Sequence, residues 1–198
     1  MTSTKLATEL ESIEIKADTL TDLLTGALTH SHKDKALPAI NSVKLFTQDN
    51  QLVAHATDRY RLVEGKAEFS GDTLSASIIL ADDIKRIIAL TKSAKYGNAS
   101  ITRAGDMLSV SIPGGNVVTI SLWDANYPNF EDLFAKFNPC ELGRVTFNPA
   151  FMADLAKIAG KGNGVTIDLA DTKRPMRWQI TGDAIQWRGL IMPMKEAN

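Results

Sequence analysis

The chain has 198 residues, 44% hydrophobic and 23% charged, with a formal net charge of −1 and one cysteine. This is enough for one large domain or two small ones with a self-sufficient core, and it excludes an intrachain disulfide, a disordered polyelectrolyte and a uniformly basic nucleic-acid binder. The segment Met1-Thr2-Ser3-Thr4-Lys5 lacks a signal-peptide core and no run reaches the length of a membrane span, so a cytoplasmic protein without a membrane partner is expected.

Alternation of apolar and polar residues predicts a strand over Ser12–Lys16. A helix follows, with Asp18 as its expected N-cap and Leu20, Leu23, Leu24, Ala27 and Leu28 on one side. After the polar loop His30–Lys35 come strands over Ser42–Thr47, Gln51–Thr57 and Arg61–Phe69, the first two joined at Asp49-Asn50. The same order then recurs. Thr73–Leu80 reads as a strand, and Asp82 or Asp83 starts a helix with Ile84, Ile87, Ile88 and Thr91 inward. Ala99–Arg103, Met107–Ile112 and Asn116–Trp123 read as strands with glycine turns between them. A third unit opens at Gly143–Phe147, with Asn148 capping a helix that has Pro149 at its first position, followed by strands over 164–170, 176–181 and 184–191.

The order strand, helix, three strands thus occurs three times, which points to an α+β fold built from repeated units. Residues 125–142, with Pro128 and Pro139 and no clear period, are the expected linker. The expected division is a two-unit domain over 1–133 and a half-domain over 134–198.

Two segments set apolar side chains beside fixed polar groups, the composition of a docking groove: Ala56–Leu62 and Leu190–Lys195. The polar face of the second helix carries Lys85, Arg86 and Lys92, with Lys95 beyond it, and that of the third carries Lys157 and Lys161. On one shared surface these cations would meet DNA phosphates without reading bases; taken singly they are solvated helix faces. Catalysis is not expected. Cys140 has no histidine near it in sequence, His30 and His32 read as solvent-exposed loop residues without a third metal ligand, Asp82 and Asp83 complement a helix dipole, and Asp58 reads as a turn residue. No catalytic residue, metal or cofactor is therefore assigned.

These motifs, in their order, resemble the β sliding clamp of bacterial DNA polymerase III. Ala56-Thr57-Asp58-Arg59-Tyr60-Arg61-Leu62 is similar to the clamp's Ala-Thr-Asp-x-x-Arg-Leu strand end, with Arg59-Tyr60 where Gly-His is usual. Asn126-Tyr127-Pro128-Asn129-Phe130 resembles its aromatic-Pro-Asp-Tyr segment, Phe147-Asn148-Pro149-Ala150-Phe151-Met152 its Phe-Asn-x-x-Tyr-Leu segment, and Met192-Pro193-Met194-Lys195 its terminal Met-Pro-Met-Arg. The resemblance implies a ring with helices facing duplex DNA and sheets outside, a processivity factor rather than an enzyme. It implies a peptide groove lined by Ile40, Thr57, Arg59, Tyr60, Arg61, Leu62, Leu190, Met192, Pro193 and Met194, which polymerase and other replication proteins would enter. The expected partners are thus duplex DNA, clamp-binding peptides, a clamp loader and further copies of the chain. A ring of about twelve such units would need about four chains. The other reading is a clamp-like module that captures these peptides as competitor or regulator without encircling DNA.

Overall fold

The computed structural model describes residues 10–94, 96–137, 145–160, 163–169, 173–182 and 184–194. Unit 1 comprises β1 (Leu10–Lys16), α1 (Ala17–Thr29), β2 (Ser42–Gln48), β3 (Gln51–Thr57), β4 (Arg61–Glu68) and the short β5 (Ser70–Gly71). Unit 2 comprises β6 (Ser77–Leu80), α2 (Ala81–Ser93), β7 (Asn98–Ala104), β8 (Met107–Ser111) and β9 (Val117–Ser121). A short helix, α3 (Phe130–Ala135), precedes unit 3, which holds α4 (Pro149–Ala159), β10 (Thr166–Asp168), β11 (Met176–Thr181) and β12 (Ile185–Ile191).

Units 1 and 2 exchange their first strands. β1 pairs with β7 in a five-stranded sheet of order β5-β1-β7-β8-β9, while β6 pairs with β2 in a seven-stranded sheet of order β10-β11-β12-β4-β3-β2-β6. The antiparallel β4–β12 pairing makes the second sheet continuous across units 1 and 3, with Leu62 opposite Leu190 and Arg61 opposite Ile191. The turn at Asp49-Asn50 is a tight hairpin, both residues having positive φ (50° and 58°), which suits Asn and Asp. Helices α1 and α2 bury Leu20, Leu23, Leu24, Ile84 and Ile87, each contributing roughly 2 kcal/mol by leaving water. At their contact the hydroxyls of Thr21 and Thr91 bond at 2.7 Å, so the polar pair in this core is satisfied.

The helix starts differ from expectation. Asp18 lies one residue inside α1, where its Oδ1 accepts the Thr19 N–H at 2.6 Å, and Asp82 and Asp83 lie in the first turn of α2. The donor at each helix start is satisfied instead by the other unit's backbone: Ala17 N–H donates to Gly97 O and Ala81 N–H to Asn41 O, both at 3.0 Å. No side-chain cap is needed there. Asn148 does cap α4, its Oδ1 accepting the Ala150 N–H at 3.0 Å behind Pro149. Residues 73–76 are not strand, and neither are Val145–Phe147, which no described strand flanks. The expected linker is not bare chain: α3 lies within it, and the 133/134 boundary falls inside that helix. Among the described residues no helix is long and apolar enough to cross a membrane.

Candidate docking surface and helix face

Residues opposite each other in an antiparallel ladder share a sheet face. Thr57, Leu62, Leu190 and Arg177 therefore form one row across β3, β4, β12 and β11, and His55, Glu64, Arg188 and Gln179 form the next. This face points away from α1. Leu62 and Leu190 are only 5% and 6% exposed, because Phe130 of α3 is sealed onto them, with Tyr127, Phe134 and Phe137 packed around.

A charged network holds that lid. Glu64 is buried at the centre, accepting from His55 Nε2 at 2.9 Å and from Arg188 through both Nε and Nη2, with Lys66 Nζ at 3.2 Å. Arg188 reaches on to Glu131 of α3 at 2.8 Å and lies over the Phe134 ring at 4.0 Å. His55 stacks on Phe130 with centroids 4.2 Å apart, and Tyr127 Oη donates to His55 O at 3.0 Å. Burial works against ionising Glu64, but the hydrogen bonds from His55 and Arg188 outweigh it and bring its pKa down to about 2. Burial lowers the His55 pKa despite the carboxylate beside it. We therefore describe this contact as a neutral imidazole donating to a carboxylate whose charge is balanced by Arg188 and Lys66.

Beyond the sealed row the surface opens. The Met192 N–H donates to Tyr60 O at 2.9 Å, tying the two expected groove segments together. Tyr60 is 63% and Met192 40% exposed, Met194 is exposed and Pro193 half-buried. The segment Asp58–Arg61 is a turn in which Asp58 Oδ1 accepts the N–H groups of Tyr60 and Arg61, both at 3.1 Å, and Thr57 Oγ1 donates to Arg61 O at 2.8 Å. Arg59 is exposed with φ of 79°. The Arg61 side chain turns to the opposite face. Its guanidinium meets the carboxylates of Asp58 and Asp154, donates to Thr29 O at 2.9 Å and lies over Phe151, so it joins unit 1 to α4 instead of lining a groove. Ile40 is buried, its carbonyl accepting the His32 N–H, and it belongs to neither apolar cluster.

The helix face is balanced in charge. Lys85 pairs with Asp82 at 2.8 Å, Arg86 with Asp83 at 2.7 Å and Lys157 with Asp154 at 2.7 Å, each three residues apart on its own helix. Hydrogen bonds from Lys35 and Lys85 hold the Asp82 pKa down to about 2. Lys92 is exposed and near Asp22, whose pKa is raised by burial and by Asp18. Lys95, Lys161, Lys195 and Cys140 lie outside the described residues.

Histidine His30 corrects the expectation of a solvent-exposed loop. It is fully buried beside Trp178, with Nδ1 2.8 Å from Thr29 Oγ1, and burial and the Arg61 charge lower its pKa to about 4. Sequence reasoning also passed over Glu64 and Arg188, and gave Phe130 no role beyond its place in the Asn126–Phe130 motif. The available signal was ionisable residues inside apolar strands, which need partners once buried.

Two continuous sheets over paired helices, built from a repeated unit, describe a known architecture. The fold is that of the bacterial DNA polymerase III β sliding clamp. The β subunit from Thermotoga maritima superposes with a TM-score of 0.81 at 13% identity, covering 94% of this chain and 66% of that one. The Bartonella birtlesii sliding clamp bound to griselimycin gives 0.77 at 15% identity over 94% and 66%, and the Bacillus subtilis DNA polymerase sliding clamp gives 0.74 at 17% identity over 99% and 67%. The chain thus spans about two thirds of these clamps' length. No protein-family model matches it, and no curated protein matches it in sequence.

Proposed function

We propose that this chain is a reduced sliding clamp, a non-enzymatic processivity factor that holds duplex DNA without sequence preference and recruits polymerase and other replication proteins. The observation that carries this reading is the β4–β12 seam, which joins two clamp units edge to edge while α1, α2 and α4 lie on the opposite side. The helix cations support a weak hold. Exposed pairs such as Lys85–Asp82 are screened by water and hold their lysines weakly, so those lysines exchange readily onto phosphates. Sliding needs contacts of that strength. The docking surface would use the open rim of Tyr60, Met192, Pro193 and Met194, where methionine side chains repack around different peptides.

Retention on nicked circular DNA, before and after linearisation, tests this. The reading expects the chain to stay on the circle and leave the cut molecule; release that ignores a free end overturns encirclement. Griselimycin titration tests the rim, with Met192→Asp expected to weaken binding about tenfold, or 1.4 kcal/mol. Equal affinity in that variant removes the rim assignment.

One observation favours the other reading, a non-encircling module that captures clamp-binding peptides. The helix face carries Asp18, Asp22, Asp82 and Asp83 among its lysines, unlike a strongly basic channel. Replacing Lys85, Arg86 and Lys92 by Glu distinguishes the two, since only a DNA-holding clamp loses DNA association while keeping its peptide rim.

A further inference from the structure

We infer that unit 3 is completed by unit 3 of a second copy of this chain, through the same two-fold strand exchange that joins units 1 and 2. This deepens the clamp reading and rests on it.

The three units superimpose as sequences when their first helical residues, Ala17, Ala81 and Pro149, are set level. Each unit then ends by returning to its own first segment at the same place. Ser70 lies opposite Glu14, Trp123 N–H donates to Ile78 O at 2.9 Å, and Met194 N–H donates to Thr146 O at 2.7 Å. Val145–Phe147 therefore occupies the position of β1 and β6. Those strands find a partner in the other unit: Ile13 opposite Ile101 and Ile15 opposite Ala99 on one side, Ser77 opposite Leu45 and Ile79 opposite Val43 on the other. For Val145–Phe147 the corresponding edge is that of β10. Following the ladders through Leu45↔Ala54, Ile101↔Val110 and Ile167↔Trp178 makes Ile167 the counterpart of Leu45 and Ile101. The exchange would thus set Val145 opposite the second copy's Ile167, and Thr146 opposite its Thr166.

Among the described residues neither the outer edge of β10 nor Val145–Phe147 has a strand partner. Leu45 and Ile101 are 1% and 0% exposed, whereas Ile167 is 40% exposed. Helix α4 shows the same deficit. Leu24 of α1 and Ile88 of α2 are buried in helices that pack on each other, and their counterpart Ala156 is exposed. Residues 124–144, which separate unit 2 from unit 3, are too few to hold a unit like that of residues 10–71. A second unit 3 has the complementary parts by construction: it offers one β10 edge and one Val145–Phe147 segment, and needs one of each. A two-fold axis satisfies both at once, the isologous geometry of most homodimers. An unpaired strand edge beside an exposed isoleucine is otherwise a site for indiscriminate pairing.

The test uses the full chain with Cys140→Ser. One preparation carries Thr146→Cys, another Thr166→Cys, and the two are mixed with a short bis-maleimide. The expected result is a covalent dimer in the mixture and little from either preparation alone. No product in the mixture, or equal product from each alone, overturns the pairing. Light scattering on the unaltered chain is expected to give at least twice its 21.5 kDa mass, falling to the single-chain mass in Ala156→Arg with cooperative unfolding preserved. A monomeric unaltered chain, or a multimer that lacks the cross-link, also overturns it. Cross-linking without retention on circular DNA would count against the clamp reading alone, and retention without cross-linking against this pairing alone.

Discussion

The two sides of the β4–β12 seam hold unit 3 to unit 1 by different physics. On the α1 side the join is mostly apolar: Trp187 lies so close to Gly26 and Gly65 that a Cβ on either would sit 2.4 Å from its ring. On the α3 side the join is the buried Glu64 with Arg188 and His55 under an aromatic lid. The contacts of Trp187 with the two glycines carry no charge to screen or titrate, so the packed side meets acid only through the buried His30, whereas the ionic side responds to both salt and pH. The difference explains how the sheet seam is kept in register: the packed side fixes distance, and the charged side fixes orientation through directional bonds.

The largest effect should come from the packed side. Trp187→Ala should cost about 4 kcal/mol, because the two glycines leave no side chain to refill the space. Gly65→Ala should cost about 2 kcal/mol by overpacking the same contact. Urea denaturation of both variants checks the pair. If Gly65→Ala is harmless, the ring is not held there as tightly as the contact implies.

Acid should weaken the packed side next. The folded pKa of His30, about 4, lies below its unfolded value of 6.5, so the unfolded chain takes up the proton first. The contribution of neutral His30 is therefore complete above pH 6.5 and is lost as pH falls toward 4, amounting to about 3 kcal/mol. Glu64 has the usual carboxylate sign, its contribution being lost only between pH 4.5 and about 2. Stability measured against pH should thus fall in two stages, and His30→Asn should flatten the upper one. A single fall below pH 4.5 would remove His30 from the account.

On the ionic side, Arg188→Met should cost about 2 kcal/mol. It leaves Glu64 buried with His55 and Lys66 only, and the estimate is discounted because Arg188 is 34% exposed. Added salt should weaken the parent more than this variant. Equal salt dependence in the two would assign the stabilisation to packing of the arginine stem on Phe134.

Much of this fold was legible as period and order. The three units, the helix-facing residues Leu20, Ile84 and Leu155, and the Asn148-Pro149 start follow from local rules. The starts of α1 and α2 did not, because their N–H groups are satisfied by Gly97 and Asn41 of the other unit, a long-range fact that no local window contains. Asn148 was legible because α4 carries its own cap. The candidate docking surface was half legible. Its two segments meet as expected through Met192 and Tyr60, but the lid on Leu62 and Leu190 comes from residues whose lack of period suggested a linker. Arg61 entered the groove assignment through the resemblance and not through local pattern, and its contacts with Asp154 and Thr29 join segments far apart in sequence.

The smallest predicted effect concerns that turn. Arg59 adopts φ of 79°, a conformation costly for any side chain with a Cβ and free for glycine. Its guanidinium is exposed, and Asp58 alone supplies the turn's hydrogen bonds to the N–H groups of Tyr60 and Arg61. Arg59→Gly should therefore relieve strain while leaving those bonds intact. Against this, glycine adds freedom to the unfolded chain, so the net gain should be about 0.5 kcal/mol. Arg59→Ala should give no gain, since alanine keeps the Cβ. A gain from Ala equal to that from Gly would show that removing the positive charge beside Tyr60 matters more than the backbone does.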